Sequence, residues 1–84
     1  MNADASSPVV LYWRPGCGFC MMLQRGLDGR GIGYDARNIW TDDEAAAFVR
    51  SVAGGNETVP TVVVGGKAMV NPTIDQVLGA LPGD

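Results

Sequence analysis

The most constraining stretch of this chain is a break. Val9-Val10-Leu11-Tyr12-Trp13 is a continuous apolar, β-branched and aromatic run of strand length, and Pro15-Gly16 ends it. A run without polar alternation reads as a strand buried on both faces, and Pro-Gly cannot continue it. From about Cys17 to Gly29 the pattern turns helical: Phe19, Met22, Leu23 and Leu27 recur three and four apart and make one apolar face. Gly29, Arg30 and Gly31 end that helix, with glycines where a C-cap favours them.

Ile32 to Ile39 predicts a second strand, half exposed because it carries Asp35, Arg37 and Asn38. Thr41-Asp42-Asp43-Glu44 opens a second helix. Thr41 is the expected N-cap, Glu44 would complete a capping box, and acids in the first turn suit the helix dipole. Ala45, Phe48, Val49 and Val52 form its apolar face, and Gly54-Gly55-Asn56 ends it. Thr61–Val64 reads as a strand, Gly65-Gly66 as a two-residue hairpin turn, and Lys67–Val70 as the returning strand. After Asn71-Pro72-Thr73, a last amphipathic helix uses Ile74, Val77, Leu78 and Leu81; Pro72 or Thr73 starts it and Pro82-Gly83 stops it. The order is β-α-β-α-β-β-α. It predicts an α/β fold, a four-stranded mixed sheet with a right-handed parallel first unit, an antiparallel final hairpin and three helices on the faces. The expected organisation is one domain over 1–84, with 1–7 a flexible tail.

The 84 residues are 46% apolar and 18% charged, a globular balance. A net charge of −3, with six basic residues scattered along the chain, argues against a nucleic-acid partner. No apolar run approaches the roughly 18 residues that span a bilayer, so no membrane association is expected. MNADASSP lacks the basic and apolar regions of a signal peptide. The chain reads as cytoplasmic. In that reducing compartment paired cysteines are more often catalytic or metal-binding than structural. The sequence has no histidine, which removes the commonest general base and metal ligand together.

Cys17 and Cys20 are the only cysteines. A C-x-x-C beside a β-α-β pattern reads as a thioredoxin-like redox motif. Cys17 falls at the predicted helix start, where unpaired N–H groups and the positive end of the dipole favour a thiolate. Such sites lower a thiol pKa from about 8.5 into the ~3.5–7.5 range, and the thiolate is the form that attacks disulfides. Arg14 adds a fixed positive charge three residues earlier. Cys20 lies one turn in, more buried and close enough to pair with Cys17. A structural disulfide closing so small a loop would stabilise little. A tetrahedral zinc site needs four ligands and two are available. An iron–sulfur or metal site shared between two chains stays open. So does an inert core pair, although Pro-Gly at a strand end makes a poor setting for one.

Thr58-Val59-Pro60 is the second site element. A proline entering a strand needs an edge or a special turn. Either a cis Val59–Pro60 bond turns the Val59 backbone toward an extended substrate segment, or a trans proline simply starts the strand; the residues alone leave both open. Trp13 reads as packing on the core or as touching substrate at the rim, and Trp40 as structural. Arg25, Arg30, Asp42 and Asp43 read as solvated faces and caps. Arg37 and Asn38 lie between strand and helix, either solvated or meeting a small-thiol carboxylate.

The combination of a strand, Y-W-R-P-G-C-G-F-C, helix, strand, helix, T-V-P, hairpin and helix resembles the glutaredoxin branch of the thioredoxin superfamily over residues 8–82. Within that branch, G-G-N-E-T-V-P-T-V-V-V and N-P-T-I-D-Q-V-L look most like the mycoredoxins. The resemblance implies a thioredoxin fold with strand order 2-1-3-4, Cys17 as nucleophile, Cys20 as resolving thiol and a cis Pro60. It implies substrate contacts at Tyr12, Arg14, Gly18, Phe19, Thr58, Val59, Pro60, Asn71, Thr73 and Asp75. Arg14 matches the place of a lysine that helps glutathione-using relatives bind the small thiol. Gly18 and Phe19 replace the Pro and Tyr of their C-P-Y-C. Asn71-Pro72 stands where they carry Gly-Gly, and Pro72 brings no N–H for a γ-glutamyl arm, which favours mycothiol over glutathione. Gly16 replaces an aromatic residue and widens the mouth of the site. The W-S-G-F-R-P-like segment of redoxins that feed ribonucleotide reductase is absent.

The implied activity is reduction of mixed disulfides between proteins and mycothiol by a monothiol mechanism. The implied partners are S-mycothiolated or disulfide-bonded proteins and mycothiol with its disulfide reductase. The implied cofactor state is none tightly bound and no metal, with mycothiol as co-substrate. A monomer is expected. The alternatives are a dithiol donor to protein disulfides recharged by thioredoxin reductase, or an iron–sulfur-binding glutaredoxin.

Overall fold

Strand β1, Val9–Trp13, is central, and the computed structural model shows why its sequence is continuously apolar. Residues 8–81 are described; the expected tail over 1–7 and the Pro82-Gly83 stop lie outside them. Successive side chains of β1 face opposite sides of the sheet. Val9 and Leu11 enter one buried cluster with Leu23, Leu27, Val62, Val64 and Val77. Tyr12 enters the other with Ile39, Ala45, Ala46 and Val49, and Val10 packs against it. Burying a side chain such as Leu11 or Leu27 contributes about 1.5–3 kcal/mol, so β1 holds both layers.

The remaining elements follow in chain order as α1 (Gly18–Gly29), β2 (Asp35–Asn38), α2 (Asp43–Val52), β3 (Thr61–Val64), β4 (Lys67–Val70) and α3 (Ile74–Ala80). The sheet order is β2-β1-β3-β4. β1 runs parallel to β2, with Val10 opposite Asp35, and antiparallel to β3, with Leu11 opposite Val62. β3 and β4 form the antiparallel hairpin through Gly65-Gly66, whose φ values of 55° and 89° suit a tight primed turn. α1 and α3 cover one face and α2 the other. α1 ends in a Schellman pattern: Gly31 N–H donates to the Asp28 carbonyl and Ile32 N–H to that of Leu27, at 3.1 and 3.0 Å.

Three sequence expectations are corrected. β2 begins at Asp35, because Ile32 and Tyr34 pack into the α1–α3 cluster before pairing with β1 starts. The N-cap of α2 is Asp42 rather than Thr41: its carboxylate accepts the Ala45 N–H at 3.1 Å, while Thr41 N–H is held in a turn by the Asn38 carbonyl. The capping box falls instead at α3, where Thr73 and Gln76 bond reciprocally. Finally, the buried line of α1 is Cys20, Leu23 and Leu27. Phe19 and Met22, placed with Leu23 and Leu27 on one apolar face, are 69% and 65% exposed.

Candidate active site

The turn between β1 and α1 sets the sulfur geometry. Gly16 adopts φ 78°, and a Cβ there would meet nothing within 4 Å. The turn therefore favours glycine conformationally and leaves open space ahead of Cys17, consistent with a wide mouth. Cys17 is extended (φ −92°, ψ 103°) and is the N-cap of α1. Its Sγ accepts the Cys20 N–H at 3.1 Å. That bond fills the place a hydroxyl or carboxylate takes in an ordinary N-cap. The first turn of α1 has no acidic residue, so the positive helix end faces sulfur alone.

Cys17 and Cys20 form a disulfide with a Cα–Cα separation of 5.2 Å. Cys17 retains 6% exposure and Cys20 none. Of the two sulfur-bearing residues, Cys17 is the one that solvent reaches. Cys17 Sγ lies 3.9 Å from the Val59 carbonyl oxygen; with the sulfur in a disulfide this is a contact without a hydrogen.

The Val59–Pro60 bond is cis. Two hydrogen bonds fix this corner. The Thr61 hydroxyl donates to the Thr58 carbonyl at 2.8 Å, and Asn71 N–H donates to the Pro60 carbonyl at 2.8 Å. The second bond ties the loop ahead of α3 to the proline beside Cys17. Asn71 takes φ 52°, one of the few left-handed positions an asparagine tolerates. α3 can come close to α1 because Gly26 has no side chain: a Cβ there would lie 3.1 Å from Ile74 Cδ1. Between the two helices lies a groove of about 350 Å³, lined by Phe19, Met22, Leu23, Asn71, Pro72, Thr73 and Ile74.

The expected contact residues divide. Phe19, Asn71 and Thr73 line the groove, and Gly18 borders the outward side of Phe19. Val59 and Pro60 stand at the sulfur. Thr73 also caps α3, and Asp75 is exposed in the first turn of that helix. Tyr12 is not among the groove residues. It is buried on the opposite face of the sheet and stacks on Phe48, ring centroids 5.0 Å apart. Burial raises its phenol pKa above the ordinary 10.0 despite the opposing Arg37 charge.

The Arg14 guanidinium sits 5.8 Å from the Trp40 ring centroid and donates to the Pro15 carbonyl at 3.4 Å. Trp40, read from sequence as structural, is 62% exposed and serves as a platform for Arg14. Trp13 packs against the α1–α3 cluster. Arg37 pairs with Asp35 at 2.6 Å, and the hydrogen bond raises its own pKa. That pair borders a larger cleft of about 620 Å³ with Trp13, Asn38, Asp42, Asp43 and Glu44. Neither cysteine lines this cleft or the α1–α3 groove; the groove is the one connected to the sulfur, through the Asn71 N–H on the Pro60 carbonyl and the Val59 carbonyl at Cys17. Sequence reading missed the groove roles of Met22, Leu23 and Ile74; all three looked like ordinary core positions. Among the described residues, no helix is long and apolar enough to cross a membrane.

A thioredoxin fold with its dithiol at the start of α1 is the frame of a thiol–disulfide oxidoreductase. The glutaredoxin family model matches residues 9–69, and the chain belongs to the glutaredoxin family. It is 39% identical over 77 residues to a Mycobacterium tuberculosis (strain H37Rv) protein named only as a candidate glutaredoxin, covering 90% of this chain and 92% of that one. It is 37% identical over 76 residues to Mycoredoxin 1 of Corynebacterium glutamicum, covering 89% and 94%. Among solved structures, it is similar to the glutaredoxin-like NrdH-redoxin of Escherichia coli, with TM-score 0.76, 25% identity and coverage of 90% and 97%.

Proposed function

We propose that the protein works in the cytoplasm and reduces mixed disulfides between protein cysteines and mycothiol by a monothiol route. Cys17 is the nucleophile; Cys20, the resolving thiol of a dithiol route, is dispensable or merely protective on this one. The Cys17 thiolate attacks the mycothiol sulfur of the mixed disulfide. One S–S bond breaks and one forms; the target protein leaves as a thiolate and takes up a proton. A second mycothiol thiolate then attacks the Cys17-bound mycothiol. It releases the Cys17 thiolate and mycothiol disulfide, which a dedicated reductase returns to the thiol. The Cys20 N–H that meets Cys17 Sγ at 3.1 Å stabilises the thiolate before attack and as a leaving group. Arg14, held on Trp40, supplies positive charge at the mouth.

The observation that carries this reading is the composition of the groove between α1 and the loop ahead of α3, which the Asn71 N–H ties to the Pro60 carbonyl next to the Val59–Cys17 contact. Its wall carries Asn71-Pro72, and the buried Pro72 has no N–H to offer a γ-glutamyl group. The likeness to Mycoredoxin 1 supports the same choice. A second reading, a dithiol donor recharged by thioredoxin reductase, is favoured by the ready closure of Cys17–Cys20. It is also favoured by the likeness to a redoxin whose structure is described as underlying a thioredoxin-like activity profile. Turnover of one mixed-disulfide substrate with mycothiol, glutathione and thioredoxin reductase separates them. The proposal expects mycothiol to exceed glutathione by about tenfold or more, a difference of roughly 1.4 kcal/mol in transition-state binding. Equal rates with glutathione contradict it.

A further inference from the structure

Helix α1 carries an exposed apolar strip that extends outward beyond the small-thiol groove. Phe19, Met21 and Met22 are 69%, 51% and 65% exposed, three of the five large apolar side chains left exposed among the described residues. Met21 and Arg25 are four residues apart and share one helix face. With Gly18, Phe19 and Met22 they line an outward hollow of about 420 Å³. Arg25 makes no hydrogen bond or ion pair among the described residues, in a chain whose net charge is −3. Phe19 and Met22 border both this hollow and the groove toward Asn71-Pro72. They form a ridge with a different surface on each side, at the start of the helix that Cys17 caps.

We propose that the outward face of α1, from Phe19 through Met21 to Arg25, docks the protein half of the substrate. The favoured occupant is an exposed segment with an apolar side chain and a carboxylate close to its reactive cysteine. The argument is continuity and charge. Any protein disulfide that reaches Cys17, itself only 6% exposed, must bring its own surface down on the residues around it. On this side those residues are apolar, and the one charge lining the hollow is the Arg25 cation. Methionines tolerate varied apolar partners because they are unbranched and polarizable, which suits a protein serving many targets. A rim charge acts mainly through encounter rate and choice of partner. This inference rests on the proposed nucleophilic role of Cys17 and is independent of which small thiol recharges the protein.

The test uses the full chain as Cys20→Ser and peptides whose single cysteine is activated as a mixed disulfide with 5-thio-2-nitrobenzoate. The Cys17 thiolate breaks that S–S bond, forms the Cys17–peptide disulfide and releases the coloured anion. Two peptides share a leucine near the cysteine and differ in an adjacent Asp or Lys. The unmodified surface is expected to react about fivefold faster with the acidic peptide, the scale of an exposed ion pair. Arg25→Glu is expected to erase or reverse that preference, and Met21→Ser to slow both peptides about threefold. Reaction with the small uncharged disulfide 2,2′-dithiodipyridine, which releases 2-thiopyridone, serves as the folding control and should stay within about twofold for both variants. An unchanged acidic-to-basic ratio in Arg25→Glu overturns the proposal, as does a parallel loss on the small disulfide. Sedimentation showing a dimer that Met21→Ser dissociates also overturns it, assigning the strip to a second copy. If Cys17 reacts with none of these disulfides, the proposed function itself fails.

Discussion

Two corners of the sheet are built alike and behave differently. β1 runs into α1 and β2 runs into α2, and the two strands are parallel, so both helices start at the same end of the sheet. Each helix begins with an extended N-cap whose side chain accepts an N–H three residues on, at 3.1 Å. At α2 the acceptor is the Asp42 carboxylate, and Asp43 and Glu44 fill the first turn with further negative charge. At α1 the acceptor is the Cys17 sulfur, and the first turn carries no acid. The same backbone device stabilises a helix at one corner and, in our reading, an attacking thiolate at the other. What differs is the atom at the cap and whether other anions share the helix end.

Exchanging the features of the two corners gives the largest expected effects. Cys17→Ser keeps an N-cap oxygen yet removes the nucleophile, and disulfide-reduction turnover should fall by about a thousandfold or more. Gly18→Asp gives α1 the acidic first turn that α2 has, and a Cβ at Gly18 meets nothing within 4 Å. Cys17 alkylation by iodoacetamide at pH 7 should then slow about fivefold, with the helix retained by circular dichroism. The converse change, Asp42→Ala, should cost about 1 kcal/mol in urea unfolding while turnover stays within about twofold.

Smaller effects test the supports of each corner. Trp40→Ala frees the Arg14 guanidinium, and the KM for the small thiol should rise about threefold with kcat nearly unchanged. Trp40→Phe should restore most of the loss, because a ring face is what holds the cation. The smallest effect concerns Tyr12, whose folded-state pKa is raised, chiefly by burial, above the ordinary tyrosine value of 10.0. A raised folded value means that this contribution is fully present below about pH 10 and is lost as pH rises through the folded value. Tyr12→Phe should flatten the alkaline limb of the melting temperature and leave neutral stability nearly unchanged.

The fold was legible where sequence patterns were unambiguous. The β1 run, the Gly-Gly hairpin and the helical spacing that begins at Cys17 each have one good interpretation, and the element order followed from them. Less legible features were choices between near-equals. Thr41 and Asp42 are both good caps; Asn38 decided between them by tying Thr41 into the preceding turn, a tertiary detail. Phe19 and Met22 fit a helical apolar pattern, yet Cys20, Leu23 and Leu27 already fill the core-facing line of α1. Tyr12 could have been assigned from alternation: with Val9 and Leu11 on the α1–α3 side, the next residue must face α2. The family resemblance drew it toward the site instead. The pairing of Arg14 with Trp40 had no sequence signal, because the two meet only after β1 and β2 align.

The central claim, that Cys17 at the cap of α1 suffices for the reaction with mycothiol as the second thiol, is tested by one assay. Cys20→Ser is given a protein–mycothiol mixed disulfide, mycothiol and the mycothiol disulfide reductase, and turnover is followed. The account predicts that the variant keeps activity within about threefold of the unaltered protein, since the α1 cap and its groove are untouched. An inactive Cys20→Ser, together with an unaltered protein that thioredoxin reductase drives, would contradict it.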